Sequence, residues 1–89
     1  MARTKVADLF KVDGSVERLP STVAKMELRQ AQQLVGGLIE HLNHPVVKGV
    51  EMWCNEEGWI LNLPINKSVT EIMGFPVAGD VIIERFVQA

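Results

Sequence analysis

Eighty-nine residues, 47% hydrophobic and 22% charged, describe a single globular domain, residues 1–89, rather than a disordered chain. A formal net charge of −2 disfavours nucleic acid as a partner, because a binder of that kind shows a basic face. The single cysteine, Cys54, excludes an internal disulfide and suits a reducing compartment.

The charge is unevenly spread. Residues 1–29 hold six Lys/Arg against four Asp/Glu, and residues 30–89 hold three against seven. The basic residues are scattered singly from Arg3 to Arg29, as on a solvated surface. The opening Met1-Ala-Arg-Thr-Lys5 lacks an apolar signal segment, and no apolar run approaches the roughly 18 residues of a membrane span. The expectation is a cytoplasmic protein, in whatever cell makes it, with no membrane partner.

Thr4–Val12 is rich in β-capable residues and ends at the turn signal Asp13-Gly14. Ser15–Leu19 can return as a short antiparallel strand, and Pro20-Ser21-Thr22 breaks the pattern. Leu28, Ala31, Leu34, Val35, Leu38, Ile39 and Leu42 then recur at helical spacing, which predicts one long amphipathic helix from about Leu28 to Leu42. Asn43-His44-Pro45 ends it. Gly36 and Gly37 sit inside this helix, where each costs roughly 0.5–1 kcal/mol against alanine. The offsetting gain expected there is close approach of another backbone, a partner or a ligand.

Val46–Cys54 and Trp59–Leu63 read as a hairpin around Asn55-Glu56-Glu57-Gly58. Pairing Cys54 with Trp59 makes one face wholly apolar, and that face is expected under the long helix. Glu51, Trp53, Ile60 and Asn62 then share the opposite face. Asn66 caps a short helix whose apolar edge is Val69, Ile72 and Met73 and whose C-cap is Gly74. Gly79-Asp80 turns into a final strand, Val81–Val87. The expected fold is α+β: a small antiparallel or mixed sheet of about five strands, in the order β-β-α-β-β-α-β, with one long and one short helix on one face.

Four segments, Gln33-Leu-Val-Gly-Gly-Leu-Ile-Glu40, Cys54-Asn-Glu-Glu-Gly58, Leu63-Pro-Ile-Asn66 and Gly79-Asp-Val-Ile-Ile83, resemble a small uncharacterised family, a domain of unknown function. The resemblance runs over about residues 5–87, with the pattern VGG-x-IE, NE-x-G, LP-x-N and GDV. It implies an origin in bacteriophages or mobile elements and a single-domain accessory protein, and it implies no reaction. The chain departs from the pattern at Ala31, where a larger apolar residue is expected, and at Leu38, where an aromatic residue is common.

No catalytic constellation stands out. His41 and His44 have a spacing that can share a metal on a helix, but His44 precedes Pro45 and no second ligand pair follows. Cys54 is expected to point into the core as a small hydrophobe. Glu56 and Glu57 are adjacent on a turn, without the contrasting environments that acid–base work needs. The expectations are therefore no enzyme, no cofactor and no metal site.

The uncovered sheet face remains. Trp53 and Ile60, flanked by Glu51 and Asn62, are the candidate contact surface, with Gly36 and Gly37 as points of close approach and Asn66 at a helix N-terminus. Cover by the N-terminal strands or the Phe75–Ala78 loop is the alternative reading of the same face. The function expected is that of a non-catalytic accessory binding protein of a phage or mobile element, counteracting a host defence component. It would bind a host or phage protein, or a nucleotide-like signal stacked on Trp53 or Trp59. A structural or assembly protein of a phage is the alternative. A homo-oligomer, dimer or larger, is expected, joined through the Trp53 face or the edge of Val81–Val87.

Overall fold

A computed structural model describes residues 2–88. Strand β1, Arg3–Phe10, and strand β2, Val16–Arg18, form the first antiparallel hairpin, with Phe10 opposite Val16. Asp13 holds the turn between them by accepting the Ser15 N–H (2.8 Å) and hydroxyl (2.7 Å) on Oδ1. The chain then crosses one sheet face through a 3-10 turn, Val23–Lys25, and enters helix α1, Leu28–Val35.

Helix α1 is half the length that the apolar spacing predicts. Gly36 takes a left-handed conformation, φ +82°, and its N–H bonds back to Gln32. This is how a glycine ends a helix. Leu38, Ile39 and Leu42 fit the helical stripe, yet Ile39–Asn43 is strand β3. Alternation of Ile39 and Leu42 between the two sheet faces replaces helical periodicity there.

Strand β4, Glu51–Asn55, pairs with β3, placing Glu40 opposite Cys54, His41 opposite Trp53 and Leu42 opposite Met52. The predicted hairpin of Val46–Cys54 with Trp59–Leu63 does not form, and residues 46–50 belong to the loop between β3 and β4. That loop is organised by His44, whose Nδ1 accepts the N–H groups of Val46 (3.0 Å) and Val47 (2.9 Å). Nδ1 as acceptor leaves the hydrogen on Nε2, which donates to the Ile72 carbonyl at 2.7 Å.

Helix α2, Lys67–Met73, follows the sequence closely. Asn66 Oδ1 accepts the Val69 N–H at 3.2 Å, and Gly74 closes the last turn. Strand β5, Val81–Gln88, pairs with β1 along its whole length and with β4 through residues 82–84. The sheet is antiparallel throughout, in the order β2-β1-β5-β4-β3. The last strand in the chain is thus the central one, so its edge is not available for pairing between copies.

The helices do not share a face. Val81 and Ile83 pack with Met52 and Cys54 of β4, Val69 and Met73 of α2, and Val77. Ile82 packs on the other side with Ala7 and Leu9 of β1, Leu19, and Val35 of α1. Two small cores therefore sandwich the sheet, one under each helix. The continuous run Val81-Ile82-Ile83 is the local reason, since a strand buried on both faces needs apolar residues at every position.

Candidate functional site

The residues after β4 build a projecting turn. Asn55, only 5% exposed, accepts the Glu57 N–H on Oδ1 at 2.8 Å and donates from Nδ2 to the Val35 carbonyl at 3.3 Å. The Gly58 N–H bonds to the Asn55 carbonyl, Leu61 N–H to Glu57, and Leu63 N–H to Gly58. These bonds wind residues 57–63 into a tight loop where the sequence predicts a strand. Asn62 sits within it at φ +55°, a left-handed conformation that asparagine tolerates better than most residues. Trp59, Ile60 and Leu61 are left 60%, 79% and 53% exposed.

This turn forms one rim of a cleft of about 180 Å³. Leu42, Met52 and Cys54 of β3 and β4 line it, and the Phe75–Ala78 segment lines the far side. Glu40 and Glu56 add carboxylates, and no lysine or arginine lines it. Glu40 Oε1 lies 4.0 Å from Cys54 Sγ. Burial, and then the Glu40 charge, push the Cys54 thiol up to about 11. A neutral thiol is a poor nucleophile, so the cleft presents an apolar floor with acidic edges.

The residues expected at the site are dispersed. Trp53 lies on the α1 face, half-buried, with its ring centroid 4.4 Å from that of His41. Its Nε1–H donates to Glu84 Oε1 at 3.1 Å, and Glu84 Oε2 accepts the Val23 N–H at 2.7 Å. The face expected to be open is covered by α1 and by Val23 and Met26, which pack on the same cluster. Glu51 stands beside Trp53 on β4 and is engaged by Lys5 and by His41 Nε2 at 2.8 Å. The Lys5 ammonium holds the Glu51 carboxyl below its usual range, with His41 adding to the effect, and Glu51 in turn raises Lys5.

Ile60 and Asn62 are not on that face at all, because they belong to the projecting turn. Gly36 is the left-handed cap of α1, with nothing closer than 4.0 Å to an added Cβ, whereas Gly37 meets a neighbour from within the chain. A Cβ on Gly37 would stand 2.9 Å from Asn55 Nδ2. Asn66 is 1% exposed, and besides capping α2 it donates to the carbonyls of Phe10 (2.9 Å) and Gly79 (3.0 Å). It ties β1, α2 and the entry to β5 together.

His41 and His44 are on β3 and in the following loop, not at a helix end, and each is bonded to a different partner. Among the described residues no three His, Cys, Asp or Glu side chains are grouped to hold a metal. No helix among them is long and apolar enough to cross a membrane.

Trp59 is legible in the sequence as a stacking candidate, whereas the places of Glu40, Glu56 and Phe75 in the same cleft are not. The available signal was Asn55-Glu-Glu-Gly58 itself. An asparagine two residues before a glutamate N–H favours an Asx turn, and a glycine after it lets the chain coil instead of returning as a strand.

No curated protein matches the chain, and no solved structure does. A family model described as Domain of unknown function (DUF3846) matches residues 11–87, which takes in α1, β3, the projecting turn, α2 and most of β5. The chain belongs to this domain of unknown function family.

Proposed function

We propose that the chain is a non-catalytic accessory binding protein that engages a partner protein through the Trp59 cleft. The observation that carries this reading is the trio Trp59, Ile60 and Leu61. They are held in solvent by a hydrogen-bonded turn beside an apolar cleft. Large apolar side chains grouped at a concave surface are the usual composition of a binding patch. The acidic edges favour a protein partner over a nucleotide-like signal, whose phosphates would meet Glu40 and Glu56 with no cation lining the cleft. The origin in phages or mobile elements that the family resemblance implies would fit a role against a host defence component. Self-association, if it adds to this role, has the outer edge of β3 available, since β5 is enclosed.

The test is site-specific photo-cross-linking in bacterial cells, with benzoylphenylalanine at position 60 and, as control, at position 16 on the remote β1–β2 hairpin. A discrete protein adduct at position 60, absent at position 16 and lost with Trp59→Ala, is the expected result. Equal adducts at both positions, or none at position 60, would overturn the reading. Native mass spectrometry of the gently purified protein gives the oligomeric state and would reveal a bound nucleotide, which would replace the protein partner.

A further inference from the structure

Resting on the cleft reading above, we infer that the occupant is an arginine side chain of the partner protein. Size is the first constraint on the occupant. Pockets for drug-sized ligands run to about 300–1,000 Å³, whereas this cleft holds about 180 Å³. That suits one side chain and not a whole cofactor or nucleotide.

Charge then chooses among side chains. Glu40 and Glu56 line the cleft, Glu57 follows on the same turn, and none of the three is in an ion pair among the described residues. The acidic residues that do have cations, Asp8, Glu51 and Glu84, lie elsewhere on the sheet. The cleft therefore keeps a negative field that no group of this chain neutralises. The proximity of Glu40 to the buried Cys54 sulfur shows that this field reaches the cleft's interior.

The exposed indole of Trp59 narrows the choice further. A guanidinium stacks on an indole face, is less strongly hydrated than an ammonium, and offers a planar fork of donors to a carboxylate. Its aliphatic stem finds apolar surface in Leu42, Met52 and Phe75. Lysine matches the charge but not the stacking, and a neutral aliphatic residue matches the floor but leaves the carboxylates unused.

The experiment uses the whole protein labelled with 5-fluorotryptophan, whose two fluorine signals are assigned with Trp59→Phe. Three blocked tetrapeptides, identical except for a central arginine, norleucine or glutamate, are titrated in. The arginine peptide is expected to move the Trp59 signal at a concentration about tenfold below the norleucine peptide, as a charge-assisted contact implies. The glutamate peptide should leave it unmoved. Glu40→Gln with Glu56→Gln, both at exposed positions, should erase the preference while norleucine binding persists.

Equal potency of arginine and norleucine, or a preference that survives the double substitution, would overturn the arginine inference and leave the cleft reading standing. A Trp59 signal that no peptide moves would also overturn the inference, and cross-linking at position 60 then judges the binding reading separately.

Discussion

Gly37 and Asn55 are a matched pair: the Asn55 side chain fills the space that a Cβ on Gly37 would need, 2.9 Å from its Nδ2. The asparagine joins the end of α1, through the Val35 carbonyl, to the turn that carries Trp59, through the Glu57 N–H. The glycine therefore serves the candidate site from a distance, by leaving room for the residue that shapes the turn.

Gly37→Ala should destabilise the fold by about 1–3 kcal/mol, the usual cost of overpacking. Asn55→Ala should cost a similar amount, about 1–3 kcal/mol, through the groups it leaves unpaired. The two should not add. With Asn55 truncated the added methyl has space, so the double variant should recover about 1 kcal/mol of coupling. Urea denaturation of the four proteins measures this. If Gly37→Ala costs as much with Asn55 truncated as with it intact, Asn55 is not the reason for the glycine.

The two tryptophans should respond oppositely to quenchers. Trp53 is bonded to Glu84 and packed beside His41, while Trp59 stands in solvent. In Trp59→Phe the remaining fluorescence should resist acrylamide, and in Trp53→Phe it should be quenched severalfold more. The ratio of caesium to iodide quenching should be higher for Trp59 than for free N-acetyltryptophanamide, because Glu40 and Glu56 line the same cleft. A reversed order of the two variants would contradict the orientation of β4.

The Cys54 thiol should be sluggish. With its pKa pushed up to about 11 by burial and then by Glu40, it holds little thiolate at pH 8. Its reaction with a disulfide reagent should be at least about a hundredfold slower than that of a free thiol near pKa 8.5. Glu40→Gln should speed it modestly, and urea should restore the rate of an ordinary thiol. A native rate equal to that of glutathione would mean that Cys54 is not buried in the cleft floor.

Acid should weaken the fold through Glu51. Its carboxyl is held below the usual value of 4.5, first by Lys5 and then by His41. A depressed carboxyl stabilises the native state above its unfolded value, and that contribution disappears as pH falls through the folded value. The unfolding free energy should therefore decline on acidification below about pH 4.5, and less steeply in Glu51→Gln, by about 0.2–1 kcal/mol for a pair that solvent still reaches. Some slope will remain, because Asp13 is also depressed by its hydrogen bonds to Ser15. Parallel slopes in the two proteins would show that the Lys5–Glu51 pair contributes nothing.

The features legible in the sequence are local. Asp13-Gly14 marks the first hairpin, and Asn66 and Gly74 bound α2. These features rest on hydrogen bonds that close within a few residues, so the residues responsible stand next to one another in the chain. The α+β class is legible as well, although the strand expected at Trp59–Leu63 is a turn and β3 falls where a helix is expected.

Long-range packing settles which segment pairs with β4, on which face each helix lies, and which tryptophan is exposed. Leu34, Val35, Leu38, Ile39 and Leu42 satisfy a helical repeat, yet the left-handed Gly36 leaves Leu34 and Val35 in α1 and puts Ile39 and Leu42 in β3, with Leu38 between the two elements. Once β3 takes the place beside β4, the segment from Trp59 is released to form the turn, and Trp53 turns toward α1. Pairing between strands is a choice among distant partners, and a change of partner moves every side chain on the displaced segment. The cleft follows from that choice, because its residues come from β3, β4, the projecting turn and the loop after α2.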